Sequence, residues 1–218
     1  MLWGAVIEGV GVLAFEGARA APAERLPEGA PMLEVGGMGG GVPCALCGPT
    51  GVSQAAPLDR LPAAVRVQVV GALDGDVQWD GVVLAGDLRR LYWVHVSADE
   101  IVSFQGSVTP GLMVDLRAAG MDAGALADTL SRPERLAAQL HRADLAGDVA
   151  AISGHLIGAE LAAAKPYWLG MEVLNLCGAD WESALSQQGA TVKSKDPAAM
   201  TQRGLVRLAK SSGLLVDG

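Results

Sequence analysis

The sequence predicts an α/β fold, in which short strands alternate with helices. In the C-terminal half, a buried strand at 173–176 precedes a helix that begins near Asp180, and a candidate strand at 191–193 precedes a helix capped by Asp196. Alternation of this kind favours a sheet with helices packed against it. Half of the 218 residues are hydrophobic and 18% are charged, so the chain has enough apolar surface for a packed core.

The clearest local pattern lies in the middle of the chain and predicts a β-hairpin. Residues 91–96 alternate in a β-branched and aromatic composition, and a second such run begins at 101–104 after the polar turn 97–100. Residues 106–111 break the second strand, and a helix is expected from Leu112. A strand, a turn and a helix in this order place backbone N–H groups at a helix start, where anions bind.

The N-terminal part predicts further strands between segments rich in glycine and proline. Residues 1–15 indicate two short strands around Glu8, and a buried strand is expected at 32–35. Residues 42–62 contain four prolines and are predicted to be irregular, because proline fixes φ and removes a backbone donor. Residues 65–70 (VRVQVV) alternate and predict a strand.

The second half is predicted to be mainly helical. Asp122 can cap one helix, and Ser131 and Glu134 have the spacing of a capping box for the next. This change of character predicts two domains, a β-rich N-terminal lobe over 1–110 and a C-terminal α/β lobe over 111–218.

Charge and hydropathy exclude several kinds of partner. The formal net charge is −8 and no basic run occurs, which disfavours nucleic acid and anionic membranes. No apolar run reaches the roughly 20 residues that a bilayer span requires. The N-terminus lacks the basic region of a signal peptide. We therefore expect a cytoplasmic protein that does not associate with membranes.

Three local patterns in the N-terminal part have both a functional and a structural interpretation. Cys44 and Cys47 form a CxxC pair, but no other cysteine or histidine has the spacing of a zinc site, so loop cysteines are favoured. The glycine cluster 36–41 lacks the Gly-Lys-Ser/Thr ending of a phosphate loop and favours a tight turn. Glu8, beside a glycine, is expected to be a solvated turn residue.

Several carboxylates and histidines elsewhere could bind a metal or act in catalysis, but each also has a structural interpretation. Asp74, Asp76 and Asp80 could hold magnesium, although a solvated turn is the favoured interpretation. His95 is expected on a strand surface, and His155 is expected to be a hydrogen-bonded packing residue. No metal site is predicted.

Five segments, in order along the chain, share patterns with a known family. Residues 153–160 (SGHLIGAE) are close to SGLLIGAE, and 93–112 follows a KWV…I..F.T.MTGEL run through Trp93, Ile101, Phe104, Thr109 and Leu112. A C-terminal strand followed by glycines, the segment 31–40, and Trp3-Gly4 are weaker matches. Together these patterns resemble the 2-dehydro-3-deoxygalactonokinases, sugar kinases of the actin/hexokinase-like ATPase superfamily.

The resemblance implies a fold, an activity and a set of site residues. The fold would be actin/hexokinase-like (ribonuclease H-like), with mixed sheets and flanking helices, reduced in size. The activity would be ATP-dependent phosphoryl transfer to a 2-keto-3-deoxy sugar acid, with ATP and magnesium as cofactors. A homodimer is a separate expectation that does not depend on the resemblance. Nucleotide contacts would fall on Trp3, Gly4, Thr109, Gly111 and Gly178, and substrate contacts on Gly37, Gly39 and Arg66.

Several family positions carry different residues in this chain. The carboxylate that precedes Trp-Gly in the family is Leu2 here, and the hydroxyl residue after it is Ala5. Residues 85–93 lack the histidine of PGTHSKW, and 109–112 lacks the glutamate of TGEL. Phosphoryl transfer depends on positioning and on neutralising phosphate charge. The alternative interpretation is therefore a catalytically degenerate homologue that binds a ligand or a protein partner, and no catalytic residue is assigned.

Overall fold

The structure is a computed structural model that describes residues 1–22, 24, 26–55, 58–73, 75 and 77–216. Its strands are β1 (Leu2–Ile7), β2 (Gly11–Glu16), β3 (Arg19–Ala21), β4 (Met32–Val35), β5 (Met38–Gly41), β6 (Cys44–Ala45), β7 (Gly51–Gln54), β8 (Asp59–Leu61), β9 (Asp80–Gly86), β10 (Leu91–Ser97), β11 (Glu100–Ser107), β12 (Glu172–Asn175) and β13 (Thr191–Ser194). Its helices are α1 (Ala63–Ala72), α2 (Thr109–Asp115), α3 (Ala123–Ser131), α4 (Leu136–Ala146), α5 (Val149–Ala163), α6 (Lys165–Trp168), α7 (Ala179–Gln187) and α8 (Pro197–Ser211).

The described strands form three sheets. The first has the order β3-β2-β1-β4, with β1 antiparallel to β2 and parallel to β4. The second has the order β13-β12-β9-β10-β11-β6, and β12 is parallel to both β13 and β9. The third joins β5, β7 and β8. The predicted mixed α/β class is therefore confirmed.

The central hairpin is confirmed, with a tighter connection than the predicted four residues. Strands β10 and β11 end and begin at Ser97 and Glu100, so only Ala98 and Asp99 lie between them. Both adopt positive φ angles, 49° and 62°. Two consecutive left-handed residues match the twist of antiparallel strands, which explains the short loop.

Residues 65–70 form a helix rather than the predicted strand. Helix α1 contains this segment, and it buries eight of its ten residues. When almost every position of a segment is buried, alternation of apolar residues no longer distinguishes a strand from a helix. The neighbouring segment 42–62, predicted to be irregular, contains the short strands β6, β7 and β8.

Two of the predicted helix caps are confirmed and one is wrong. Asp122 and Asp196 each accept a hydrogen bond from the backbone three residues later, at the starts of α3 and α8. The predicted capping box at Ser131 does not form, because Ser131 is the last residue of α3 and its hydroxyl donates to the carbonyl of Asp128.

The chain divides into two compact units, which are described separately. Unit 1 comprises 1–80, 94–104 and 195–218, and unit 2 comprises 81–93 and 105–194. The division into an N-terminal lobe (1–110) and a C-terminal lobe (111–218) stays a prediction.

In unit 1, α1 packs closely against α8 at two glycines. A Cβ on Gly71 would lie 1.9 Å from the carbonyl oxygen of Met200, and one on Gly204 would lie 2.0 Å from that of Val67. Glycine at both positions lets the two backbones meet at a distance that alanine would forbid.

In unit 2, the buried helix α5 packs against α3 in the same way. A Cβ on Gly154 or Gly158 would meet the carbonyl oxygen of Asp122 or Leu126 at 2.3 or 2.5 Å. The core beside these helices contains the buried side chains of Val82, Leu84, Leu91, Trp93, Leu126, Ile157, Leu161, Trp168, Val173, Trp181 and Leu185. None of the described helices combines the length and apolar composition needed to cross a membrane.

Candidate functional site

Unit 2 contains a largely apolar cleft between α2 and the start of α7, here called the α2–α7 cleft. Its volume is about 380 Å³, and it is lined by Leu88, Pro110, Met113, Val114, Gly178, Ala179 and Trp181, among others. Pro110 stands between Thr109 and Gly111, so this cleft brings the neighbourhood of those two predicted nucleotide-binding residues together with the third, Gly178.

The loop before α7 is built by a buried asparagine. Asn175, 1% exposed, ends β12, and its Nδ2 donates to the carbonyl of Gly178 (2.9 Å) and to the Ser194 hydroxyl (3.0 Å). Its Oδ1 accepts from the backbone N–H of Cys177 (2.9 Å). Gly178 has a φ of 97°, a conformation that favours glycine. Sequence reasoning identified Gly178 but missed Asn175, whose only signal is a polar residue at the end of a buried strand.

Helix α7 begins at this loop, and its first three residues, Ala179, Asp180 and Trp181, line the cleft. No side chain caps it in the described part of the chain. Uncapped N–H groups at a helix start carry partial positive charge and suit an anion, while the carboxylates of Asp180 and Glu182 in the first turn partly offset that charge.

A second, polar cleft is lined partly by the β9–β10 turn, and is here called the turn cleft. Its volume is about 490 Å³, and its lining includes Asp87, Arg89, Arg90, Gly111, Leu112 and Asp115. The Asp87 carboxylate fixes the turn by accepting from the backbone N–H groups of Arg89 (2.7 Å) and Arg90 (2.8 Å).

The β9–β10 turn holds α2 through two kinds of bond. Arg89 forms a bidentate ion pair with Asp115, in which Nη1 donates to Oδ1 (2.7 Å) and Nη2 donates to Oδ2 (3.2 Å). Hydrogen bonding from Arg89 lowers the pKa of the Asp115 carboxyl. The carbonyl of Arg89 accepts from the backbone N–H of Gly111 (3.2 Å). A Cβ on Gly111 would lie 3.0 Å from that carbonyl oxygen. Glycine at 111 therefore allows the close approach.

The start of α2 is also tied to the core of unit 2. The Thr109 hydroxyl donates to Glu160 Oε2 (2.5 Å), and Trp93 Nε1 donates to Glu160 Oε1 (2.9 Å). Glu160 is 5% exposed and Thr109 is 8% exposed. The predicted nucleotide contact at Thr109 thus has a hydroxyl that is engaged inside the protein.

In unit 1, Trp3 and Gly4 lie within β1. Trp3 is fully buried, stacks on Phe15 with ring centroids 4.5 Å apart, and donates from Nε1 to the carbonyl of Gly17 (2.7 Å). A Cβ on Gly4 would lie 2.6 Å from the sulfur of Met32. Both residues are used in packing, and the turn that follows their strand is formed by Glu8, Gly9 and Val10.

The predicted substrate glycines lie beside that turn. The Glu8 carboxylate, expected to be solvated only, accepts from the backbone N–H of Gly37 (2.6 Å). A Cβ on Gly39 would lie 2.3 Å from the Thr50 hydroxyl oxygen. Gly37 has a φ of 73°, which favours glycine. The tight turn predicted over 36–41 is therefore limited to Gly36 and Gly37, because 38–41 forms β5.

Arg66, the third predicted substrate contact, is buried on α1 and fully engaged. Its guanidinium donates to the carbonyls of Leu46 (3.2 Å), Thr50 (3.0 Å) and Ala45, and its Nη2 lies 3.9 Å from Cys44 Sγ. Burial lowers the pKa of Arg66. These bonds hold the 44–50 segment against α1, so Arg66 has a structural role whether or not it meets a substrate.

The described residues contain no group of three or more histidines, cysteines or carboxylates arranged to hold a metal ion. Asp74 and Asp76 lie outside the described residues, and Asp80 pairs with His95 (3.0 Å). Cys44 and Cys47 are free thiols, and burial raises the pKa of each. Burial also raises the pKa of Cys177, to about 12.

His155 has the packing role that the sequence predicts. It is 9% exposed, and its Nδ1 lies 2.8 Å from the Thr129 hydroxyl and 3.1 Å from the carbonyl of Ala125. The Thr129 hydroxyl also contacts Gln139 Oε1 (2.8 Å). This buried polar cluster joins α3, α4 and α5, and its three side chains are not among the residues that line either cleft.

Comparison with solved structures shows that the chain shares its fold with a known α/β protein. It matches the crystal structure of a candidate 2-dehydro-3-deoxygalactonokinase protein from Sinorhizobium meliloti with a TM-score of 0.72. The two sequences are 20% identical, and the match covers 87% of this chain and 82% of that chain.

Comparison with protein-family models identifies one family that matches part of the chain. The model of the 2-keto-3-deoxy-galactonokinase family matches residues 116–208, which include α5 and the loop at Gly178. The resemblance to this family is therefore confirmed. No curated protein matches the chain.

Proposed function

We propose that the protein catalyses ATP-dependent phosphoryl transfer to a 2-keto-3-deoxy sugar acid, with 2-dehydro-3-deoxygalactonate as the first substrate to test. The family match over 116–208 supports this proposal. The observation that carries it furthest is the α2–α7 cleft, whose lining includes Pro110 and Gly178. These residues lie 68 positions apart in the sequence and belong to two separate segments of the family resemblance.

The residues of the α2–α7 cleft fit a nucleotide. A volume of about 380 Å³ falls within the range of small-molecule sites, roughly 300–1,000 Å³. Leu88, Met113 and Trp181 supply apolar surface for a base, and the uncapped start of α7 supplies N–H donors for phosphate. When bound, ATP supplies the phosphoryl group. Magnesium would be held mainly by the phosphates, since it binds proteins through few carboxylates and several waters.

The chain's own residues would bind and orient the anionic groups. Arg90 is exposed in the turn cleft, whereas Arg89 is engaged by Asp115. Neutralisation of phosphate charge by arginine is a recurring part of phosphoryl transfer. We therefore assign Arg90 to the phosphate or carboxylate of a bound ligand and Arg89 to the position of α2.

The binding step can be tested by calorimetry of Mg-ATP with matched charge variants on α7. Ala179 lines the cleft at the first position of the helix, and Ser186 is exposed near its other end. Ala179→Glu is expected to weaken Mg-ATP binding about tenfold, or 1.4 kcal/mol, because it places a negative charge among the phosphates. Ser186→Glu should leave binding unchanged. Equal affinity of both variants would contradict nucleotide binding at this cleft.

The transfer step requires a coupled assay with the sugar acid. ADP formation that depends on 2-dehydro-3-deoxygalactonate and exceeds the substrate-free rate would support the proposed kinase. The C4 epimer of that acid serves as the control for substrate choice. Absence of turnover with saturating Mg-ATP and sugar acid would contradict the activity.

A catalytically degenerate homologue is the second candidate function. It is favoured by the observation that Trp3, Thr109 and Arg66 are engaged inside their own units. Nucleotide or sugar-acid binding without turnover would identify this state. We further propose a homodimer in the cytoplasm, which size-exclusion chromatography with light scattering and cell fractionation would test.

A further inference from the structure

The buried carboxylate of Glu160 connects both walls of the α2–α7 cleft. One oxygen accepts from the hydroxyl of Thr109, the first residue of α2, and the other accepts from Trp93 Nε1. Trp93 in turn packs edge-to-face against Trp181, with ring centroids 6.4 Å apart and an interplanar angle of 78°. Trp181 lines the cleft on the α7 side, while α2 lines it on the other.

We propose that Glu160 is a positioning residue for the ligand cleft of unit 2, acting on α2 through Thr109 and on Trp181 through Trp93. As far as it concerns a nucleotide, this inference rests on the proposed function. The arrangement of the cleft walls can be measured without any ligand.

The need for such a residue follows from the size of α2. The helix has seven residues, and none of the described side chains caps its start. A helix this short is not stable alone. Its second attachment, at the β9–β10 turn, involves Gly111 and Asp115. Glu160 is the attachment at the first residue, directly before Pro110 in the cleft wall.

In the described part of the chain, the Glu160 carboxylate forms no ion pair with a cationic side chain. Both of its oxygens accept from the neutral donors of Thr109 and Trp93. Burying a carboxylate is costly unless hydrogen bonds compensate it. A group that served only to fill the core would be replaced more cheaply by an apolar side chain of similar volume.

Four variants separate positioning from core packing. Thr109→Val removes the hydroxyl and keeps the shape, and Thr109→Ser keeps the hydroxyl. Glu160→Met removes both acceptors at similar volume. Glu160→Gln keeps an acceptor for Trp93, and its amide can donate to Thr109, whose proton can turn toward the Ser107 hydroxyl 3.3 Å away.

The ligand-free measurement is hydrogen exchange of the backbone amides of α2. We expect about tenfold faster exchange over 109–116 in Thr109→Val and Glu160→Met, and near-wild-type exchange in Thr109→Ser and Glu160→Gln. Unchanged α2 exchange in Thr109→Val, with a lowered global unfolding midpoint, would overturn the proposal and leave Glu160 as a core residue. If Glu160→Met does not fold, the Thr109 pair decides.

Calorimetry with Mg-ATP gives the functional readout. The two variants with faster exchange are expected to bind Mg-ATP about tenfold more weakly, and the two conservative variants are expected to restore the affinity. Wild-type affinity in Thr109→Val despite a loosened α2 would overturn the link between Glu160 and the ligand. A wild-type protein that binds no Mg-ATP would contradict the proposed function alone, because the exchange measurement stands without it.

Discussion

The side-chain amide of Asn175 donates a 2.9 Å hydrogen bond to the carbonyl of Gly178, three residues further along the chain. The bond closes the loop between β12 and α7. The second hydrogen of the same amide donates to the hydroxyl of Ser194, the last residue of the neighbouring strand β13. One buried amide therefore fixes the shape of the loop that begins α7 and carries Gly178 to the edge of the α2–α7 cleft.

Replacement of Asn175 should loosen this loop. Asn175→Ala leaves the Cys177 N–H without its partner and removes the side-chain donor to the Gly178 carbonyl, which keeps only the backbone N–H of Glu182 (3.3 Å). We therefore expect the free energy of unfolding to fall by about 1–3 kcal/mol. Asn175→Asp keeps the acceptor for Cys177 but loses both donors, and is expected to be destabilising too. Denaturant unfolding measures both. The exposed Gln187→Ala serves as control and should lie within about 0.5 kcal/mol of wild type.

Arg66 offers a direct test of a structural against a substrate-binding role. Arg66→Met removes the donors to three backbone carbonyls of the 44–50 segment, and we expect a loss of at least about 2 kcal/mol in the free energy of unfolding. Arg66→Lys should recover part of it, because an ammonium cannot reach all three carbonyls at once. Wild-type stability of Arg66→Met together with lost sugar-acid binding would instead favour the substrate contact.

The α1–α8 crossing predicts an unusually strict requirement for glycine. Gly71→Ala places a Cβ 1.9 Å from the carbonyl of Met200, so the helices must separate. The expected cost is about 1–3 kcal/mol or more, although alanine normally favours a helix. Thermal unfolding compares this variant with Gly40→Ala, whose added Cβ meets no atom of the described residues within 4 Å. A stabilised Gly71→Ala would show that α1 and α8 are not so close.

His155 predicts how stability depends on pH. Burial lowers the pKa of His155, and the charge of Arg142 acts in the same direction, while the carbonyl of Ala125 and the carboxylates of Asp122 and Asp148 oppose it. His155 therefore becomes protonated near pH 6.5 in the unfolded chain but only at lower pH in the folded chain. The contribution of His155 to stability is present above that pH and is lost as the pH falls toward its folded pKa.

The measurement is the free energy of unfolding of wild type and His155→Gln between pH 8 and pH 5. The advantage of wild type over the variant should shrink as the pH falls below about 6.5. The exposed Gln187→Ala changes no titratable group, provides the comparison and should run parallel to wild type across this range. A wild-type advantage that grows toward acid pH would mean that His155 is stabilised in its charged form.

The sequence by itself determined the α/β class, the central hairpin, the caps at Asp122 and Asp196 and the packing role of His155. Each of these depends on neighbours within a few residues or on a side chain's own chemistry, so local pattern was sufficient. The same patterns carried the family resemblance, which the match over 116–208 confirms.

Only the tertiary structure decided that 65–70 is helical, that Arg66 holds the 44–50 segment, and that Asn175 and Glu160 shape the α2–α7 cleft. A helix buried on nearly all sides loses the periodicity that reveals it, and Glu160 meets its partners 51 and 67 positions away. Contacts at such separations depend on how the whole chain folds. The type of a residue determines whether it can form a hydrogen bond, but only the tertiary structure determines with which partner.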